Sequence, residues 1–168
     1  AGTAAVVVPP TSDRGVVAAA IDSLDVAPYT AIGEGIYSSL DAIAQAPPDP
    51  NDPESTAPGA IVLLSDGFTN IGRDSADAAT ESKGKGIPIY TIAYGTAGGY
   101  LIGEGGQREP VPVNHTELSQ IARLSGGKKF SAGSSEELRQ VYASIALSVC
   151  FFFTDTATTE IYTGYAVV

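Results

Sequence analysis

The chain of 168 residues has one cysteine, one histidine, no methionine and no tryptophan. A lone Cys150 rules out an internal disulfide, so the fold must hold without a covalent staple and the redox compartment stays undetermined. Basic residues are scarce: nine Lys and Arg stand against nineteen Asp and Glu, for a formal charge of -10. No basic run exceeds Lys128-Lys129, so phosphate backbones and anionic lipid are repelled, and nucleic acid is not an expected partner. Long apolar runs are missing as well. The longest near the C-terminus, Ile145 to Phe153, falls far short of the roughly 18 residues a membrane helix needs. There is no Gly-x-Ser-x-Gly elbow and no phosphate-binding loop, and His115 is the only histidine a Ser-His-Asp hydrolase could use; a surface histidine near a helix start is the preferred reading. With no start residue and no signal-peptide pattern, Ala1-Gly2-Thr3 runs directly into the strand-like Ala4 to Val8, and the chain reads as cut at this end.

What is present suits one soluble domain: 43% hydrophobic and 17% charged residues, with no internal repeat. After the opening strand, Thr11-Ser12-Asp13 supplies helix-start chemistry, and Val16, Val17, Ala20, Ile21 and Leu24 fall on one helical face. Thr30 opens a second helix with Ile32, Ile36, Leu40 and Ile43 at helical spacing. The proline-rich, acidic stretch 46–59 reads as a solvated loop; it does not fit a calcium loop, which needs a glycine and Asp or Asn where this chain has proline. Then come a buried run over Ala60 to Leu64, a polar helix over Ser75 to Lys85 stopped by Gly86, and an apolar strand over Ile87 to Gly95. Glycines 103, 105 and 106 between Tyr100-Leu101-Ile102 and Val111-Pro112-Val113 predict a hairpin excursion, and do not open a helix as a dinucleotide site would require. Asn114 to Glu117 and Ser134 to Glu137 have capping-box spacing, Gly126-Gly127 ends the first of these helices, and Lys128 to Ser131 predicts a short edge strand. Apolar strands alternating with helices predict an α/β, doubly wound, mainly parallel sheet covered on both faces.

In such sheets ligands gather at the carboxyl ends of the strands. The stretch Ile61 to Asn70 (IVLLSDGFTN) carries Asp66 to that place, with Gly67 allowing a tight turn and Ser65 and Thr69 adding hydroxyls. Thr30 is a second hydroxyl at another loop-to-helix junction. Hard oxygen donors of this kind suit Mg²⁺ or Mn²⁺. In isolation each has a plainer role: Asp66 and Thr30 as helix caps, Glu34 as a first-turn acid favoured by the helix dipole, Ser65 and Thr69 as turn hydroxyls.

Thr30 to Ile36 (TAIGEGI) followed by Ile61 to Asn70 resembles the second and third segments of a von Willebrand factor A domain. Residues 1–14, 111–113, LSGG and VYASI narrow the likeness to membrane-anchored bacterial members grouped with the Bat proteins, actinobacterial ones included. The resemblance covers residues 1–149 and implies a metal-ion-dependent adhesion site. In it Thr30 and Asp66 supply oxygens to Mg²⁺ or Mn²⁺, and a partner protein's carboxylate takes the open position. It further implies a parent anchored in the bacterial cell membrane and working with a MoxR-type AAA+ ATPase, by binding and not by catalysis. The family's Asp-x-Ser-x-Ser loop occurs nowhere in this chain, so the resemblance implies a domain lacking its first strand, first helix and second strand, with weak or absent metal affinity. The competing class is a small hydrolase or nucleotide-binding enzyme using the same rim.

The end of the chain is different in character. Asp155 to Thr163 (DTATTEIYT) resembles a translated sequencing adapter, and residues 150–168 are expected to be a non-native tail, set aside in reading the fold; a natural β-rich tail is the alternative.

Overall fold

The computed structural model describes residues 4–24, 30–46, 59–65, 69–95, 100–102, 107–110, 115–153 and 163–167. Strand β1 (Ala5–Thr11) leads to α1 (Arg14–Asp22), then α2 (Ile32–Ile43), β2 (Ile61–Ser65), α3 (Ser75–Gly84) and β3 (Ile89–Tyr94). A short pair β4 (Tyr100–Ile102) and β5 (Arg108–Pro110) follows, then α4 (His115–Ser125), β6 (Lys129–Ala132), α5 (Ser135–Phe153) and β7 (Thr163–Val167).

The central sheet has the order β2-β3-β6, and all its pairs are parallel. Alternation along its strands sorts side chains to two faces. Ile61, Leu63, Ile89 and Ala93 join Ile32, Ile36 and Leu40 of α2, Ala78 and Ala79 of α3, and Leu118 and Ile121 of α4 in the larger core. Tyr90 and Ile92 point the other way and pack with Ala132 and with Ile145 of α5. Helices therefore cover both faces, and the fold is the α/β, doubly wound, Rossmann-like type.

Polar groups inside this core are matched. The Thr91 hydroxyl donates to the Leu118 carbonyl at 3.0 Å, and the Ser125 hydroxyl accepts the Ile89 N–H at 3.0 Å while lying 3.1 Å from the Ala122 carbonyl. Both tie α4 to β3. Among the described residues no buried side-chain polar atom lacks a partner, as expected where an unmet donor would cost about 1–3 kcal/mol.

Several helix ends follow the residues that were expected to set them, while Asn114, of the box expected before α4, lies outside the described residues. Asp13 caps α1 by accepting from Gly15 and Val16 N–H, and α3 closes with Gly86 at a positive φ of 72° while Ile87 N–H reaches back to the Ser82 carbonyl at 2.9 Å. Ser134 accepts from Glu137 N–H, and the Glu137 carboxylate accepts from Gly133 N–H, one residue earlier than a strict capping box requires.

Several expectations change. The hairpin forms with Arg108–Pro110 as its second strand, and Val111 to Val113 lie outside the described residues. The edge strand expected over Lys128 to Ser131 spans Lys129–Ala132, because its pairing with β3 continues to Tyr94↔Ala132. Helix α1 forms but buries no residue: Val16 is 50% and Ile21 40% exposed, since α1 packs beside β1 and β7 rather than on the central sheet. On β2 only Ile61 and Leu63 are buried while Val62 and Leu64 are exposed, because α5 packs on β3 and β6. β1 pairs antiparallel with β7, which lies in the stretch expected to be a non-native tail. That pairing does not depend on native origin, since a Thr- and Tyr-containing extended segment can satisfy an open strand edge whatever its source. Among the described residues no helix is long and apolar enough to cross a membrane.

Candidate functional site

The carboxyl end of β2 at Ser65 and the start of α2 lie on the same rim. Thr30 N–H donates to Asn70 Oδ1 at 3.0 Å, and Asn70 N–H returns a bond to the Thr30 carbonyl, also at 3.0 Å. This two-way clasp joins the loop before α2 to the loop after β2. Asp66 lies outside the described residues; its described flanks are Ser65 and Thr69. The N-cap of α2 is Ala31 and carries no side-chain capping bond, so Thr30 is not the cap of that helix. Its side chain is half-buried at the rim.

Close backbone approach makes this junction. A Cβ at Gly33 would lie 2.1 Å from the Arg73 carbonyl oxygen, so only glycine lets the first turn of α2 rest against the segment entering α3. The next residue, Glu34, fixes the same contact: Arg73 donates from its backbone N–H at 3.1 Å, from Nε at 3.0 Å and from Nη2 at 2.7 Å, the last two forming a fork on the carboxylate. The guanidinium also sits 3.7 Å from the centre of the Tyr37 ring. Glu34 is thus more than a first-turn acid, and Arg73, which the sequence did not single out, is its partner.

The side-chain and then the backbone hydrogen bonds from Arg73 hold the Glu34 carboxyl below its ordinary value near 4.5, and the same pairing raises Arg73. A lowered carboxylate contributes stability above its unfolded value and loses it as pH falls through the folded one. The urea midpoint of the wild-type chain is expected to exceed that of Glu34→Gln at neutral pH, and the gap to close as pH drops below about 4.5. A gap that stays constant down to about pH 3 would contradict this assignment.

The loop after β2 has a third anchor. Glu117, in the first turn of α4, accepts from Thr69 N–H at 3.3 Å, from the Thr69 hydroxyl at 2.5 Å and from the Ser75 hydroxyl at 2.8 Å. Its sequence role as a capping-box acid gave no sign of this reach across 48 positions. Thr69, Asn70, Arg73, Ser75 and Glu117 are among the residues lining an open cleft of about 420 Å³ beside the clasp. Ser65 ends β2, and His115 is exposed at the start of α4, as expected. Among the described residues no three His, Cys, Asp or Glu side chains gather as a metal cluster. The acidic segment 47–58 and glycines 103, 105 and 106 lie outside the described residues.

No protein-family model matches the chain. A UPF0353 protein of Mycobacterium sp. (strain KMS) is 43% identical over 152 residues, covering 86% of this chain and 45% of the relative, so the chain spans under half of that protein. Three solved structures are similar in fold. BatB from Bacteroides thetaiotaomicron has a TM-score of 0.71 at 21% identity, covering 90% of this chain and 76% of that one. An aerotolerance-related membrane protein from Bacteroides fragilis has a TM-score of 0.56 at 20% identity, covering 78% and 68%. Proximal thread matrix protein 1 from the mussel byssus, with a zinc-occupied MIDAS motif, has a TM-score of 0.55 at 18% identity, covering 93% and 32%. With its parallel sheet, helices on both faces and loops gathered at the strand ends, this chain therefore has an α/β fold of the von Willebrand factor A type, shared with Bat-type proteins.

Proposed function

We propose that this chain is the greater part of a protein-binding domain that captures its partner through a divalent cation, Mg²⁺ or Mn²⁺, held by Thr30 and Asp66. The observation that carries this reading is the Thr30–Asn70 clasp, which secures the segment before α2 to Asn70, four positions after Asp66 in the sequence. The donor chemistry fits: a hydroxyl and a carboxylate are hard oxygen ligands, and a partner's carboxylate completes the shell. The mussel byssus protein, described with zinc in a MIDAS motif, supports metal use on this fold.

Two protein oxygens are few for a cation that demands octahedral coordination and gives up water reluctantly. In this chain the affinity is weak; the remaining oxygens belong to the Asp-x-Ser-x-Ser loop that the resemblance implies. The parent acts at the bacterial cell membrane, a placement supported by the aerotolerance-related membrane protein of similar fold, with a MoxR-type AAA+ ATPase as the partner class implied by the resemblance. Its role is binding, without turnover.

Calorimetric titration of this chain with Mg²⁺ or Mn²⁺ is expected to show no tight stoichiometric site. A tight one would contradict the two-oxygen account. In the intact parent, metal-dependent capture of a partner should disappear with Asp66→Ala. Turnover that survives this substitution would instead favour a hydrolase or nucleotide-binding enzyme.

A further inference from the structure

We propose that the cleft beside the clasp is a carboxylate-binding subsite: Arg73 and the donors of the preceding three residues take an acidic side chain of a partner protein, with no metal ion taking part. This goes beyond the metal reading above and does not rest on it.

Donors and acceptors around the cleft are unevenly committed. Its two carboxylates are taken: Asp74 accepts the Ala76 and Asp77 N–H groups, and Glu117 accepts from Thr69 and Ser75. The start of α3 is therefore already capped and is not itself the subsite. The donors are open. Asn70 gives its Oδ1 to the Thr30 N–H, which leaves the Nδ2 hydrogens without a hydrogen bond among the described residues, and the N–H groups of Ile71 and Gly72 make none there either. Arg73 spends Nε and Nη2 on Glu34 and keeps Nη1. Four consecutive residues that line one open cleft thus each carry a donor without a partner among the described residues.

Arg73 supplies the charge and is held ready for a ligand. Its side chain is 57% exposed, yet the fork on Glu34 and the Tyr37 ring 3.7 Å away fix the guanidinium. A group already in place gives up little side-chain freedom on binding, and a guanidinium suits the planar carboxylate. Charge balance selects the class of anion. One guanidinium beside the carboxylates of Glu34, Asp74 and Glu117 suits a singly charged carboxylate, whereas a phosphate group, at about two negative charges, meets more repulsion than attraction.

The test titrates the full chain, in chelator and without added metal, and follows assigned backbone amide resonances. Three probes are compared: a capped peptide with a single glutamate, the same peptide with glutamine there, and inorganic phosphate. The glutamate peptide is expected to shift Asn70, Ile71, Gly72 and Arg73 together and to saturate at millimolar concentrations, with the other two binding about tenfold more weakly, the loss expected for one charged hydrogen bond. Arg73→Gln should weaken the glutamate peptide by a similar factor, and Arg73→Lys, which keeps the charge but not the planar fork, by less. Because Arg73→Gln also breaks the Glu34 contact, the contrast between the glutamate and glutamine peptides on the unaltered chain decides the matter if that variant does not fold. Equal binding of the two peptides, phosphate as tight as the glutamate peptide, shifts centred elsewhere, or a folded Arg73→Gln chain that binds undiminished would each overturn the proposal. Binding seen only after Mg²⁺ is added would overturn it too, while leaving the metal reading standing.

Discussion

Replacing Gly33 by alanine is expected to destabilise the chain by about 3 kcal/mol, at the upper end of the usual cost of overpacking. The added Cβ would sit 2.1 Å from the Arg73 carbonyl oxygen and 2.9 Å from its carbonyl carbon. Both are backbone atoms and cannot rotate away, so α2 and the segment entering α3 must separate. That separation strains the fork from Arg73 to Glu34 and draws the Thr30 loop from Asn70, because all three contacts join the same two segments. Urea denaturation measures the loss. Gly84 is the control: a Cβ there meets nothing within 4 Å, and alanine in a helix is favoured over glycine by up to about 1 kcal/mol, so Gly84→Ala should leave stability equal or higher. Equal midpoints for the Gly33→Ala and wild-type chains would show that the close approach is not maintained in solution.

Leu118→Ala should cost about the same, near 3 kcal/mol, for a different reason. Leu118 is 0% exposed in the larger core, and large-to-small changes at such sites lose both the transfer free energy and the contacts around the cavity left behind, about 2–5 kcal/mol together. It also lies between two contacts that matter to the rim, since Glu117 precedes it and its own carbonyl holds Thr91. Thermal or urea unfolding checks this. A loss under about 1 kcal/mol would mean that α4 is not packed on the sheet as described.

Much of this was legible in the sequence because local chemistry and global fold agree. The apolar run Ile61 to Leu64, the fully buried strand at Ile89 to Ala93 and the glycines that end α3 and α4 each carry their own signal of period or backbone conformation. The exposed face of β2 was not legible: a continuous apolar run implies cover on both sides, whereas cover depends on which helix lies above it. Nor was the helix α1 packing, since apolar spacing predicts a face but not whether anything meets it. At the rim, Thr30 could be picked out as a hydroxyl at a junction, and Asn70 stood in the quoted stretch without a role. The reach of Glu117 to Thr69, and of Arg73 to Glu34, spans 48 and 39 positions, distances over which no spacing rule operates. A capping-box acid beside the apolar Leu118, and a threonine read only as a turn hydroxyl, were the available hints.

The central claim is that Thr30 and Asp66 face one cation. The most direct measurement is paramagnetic broadening of assigned backbone resonances during titration with Mn²⁺, which detects weak binding and locates it. The account predicts that signals from Thr30, Asp66 and their immediate neighbours, Asn70 among them, are lost first and together, and that Asp66→Ala protects Thr30. Broadening centred on the acidic segment 47–58, or loss at Asp66 with Thr30 untouched, would contradict it.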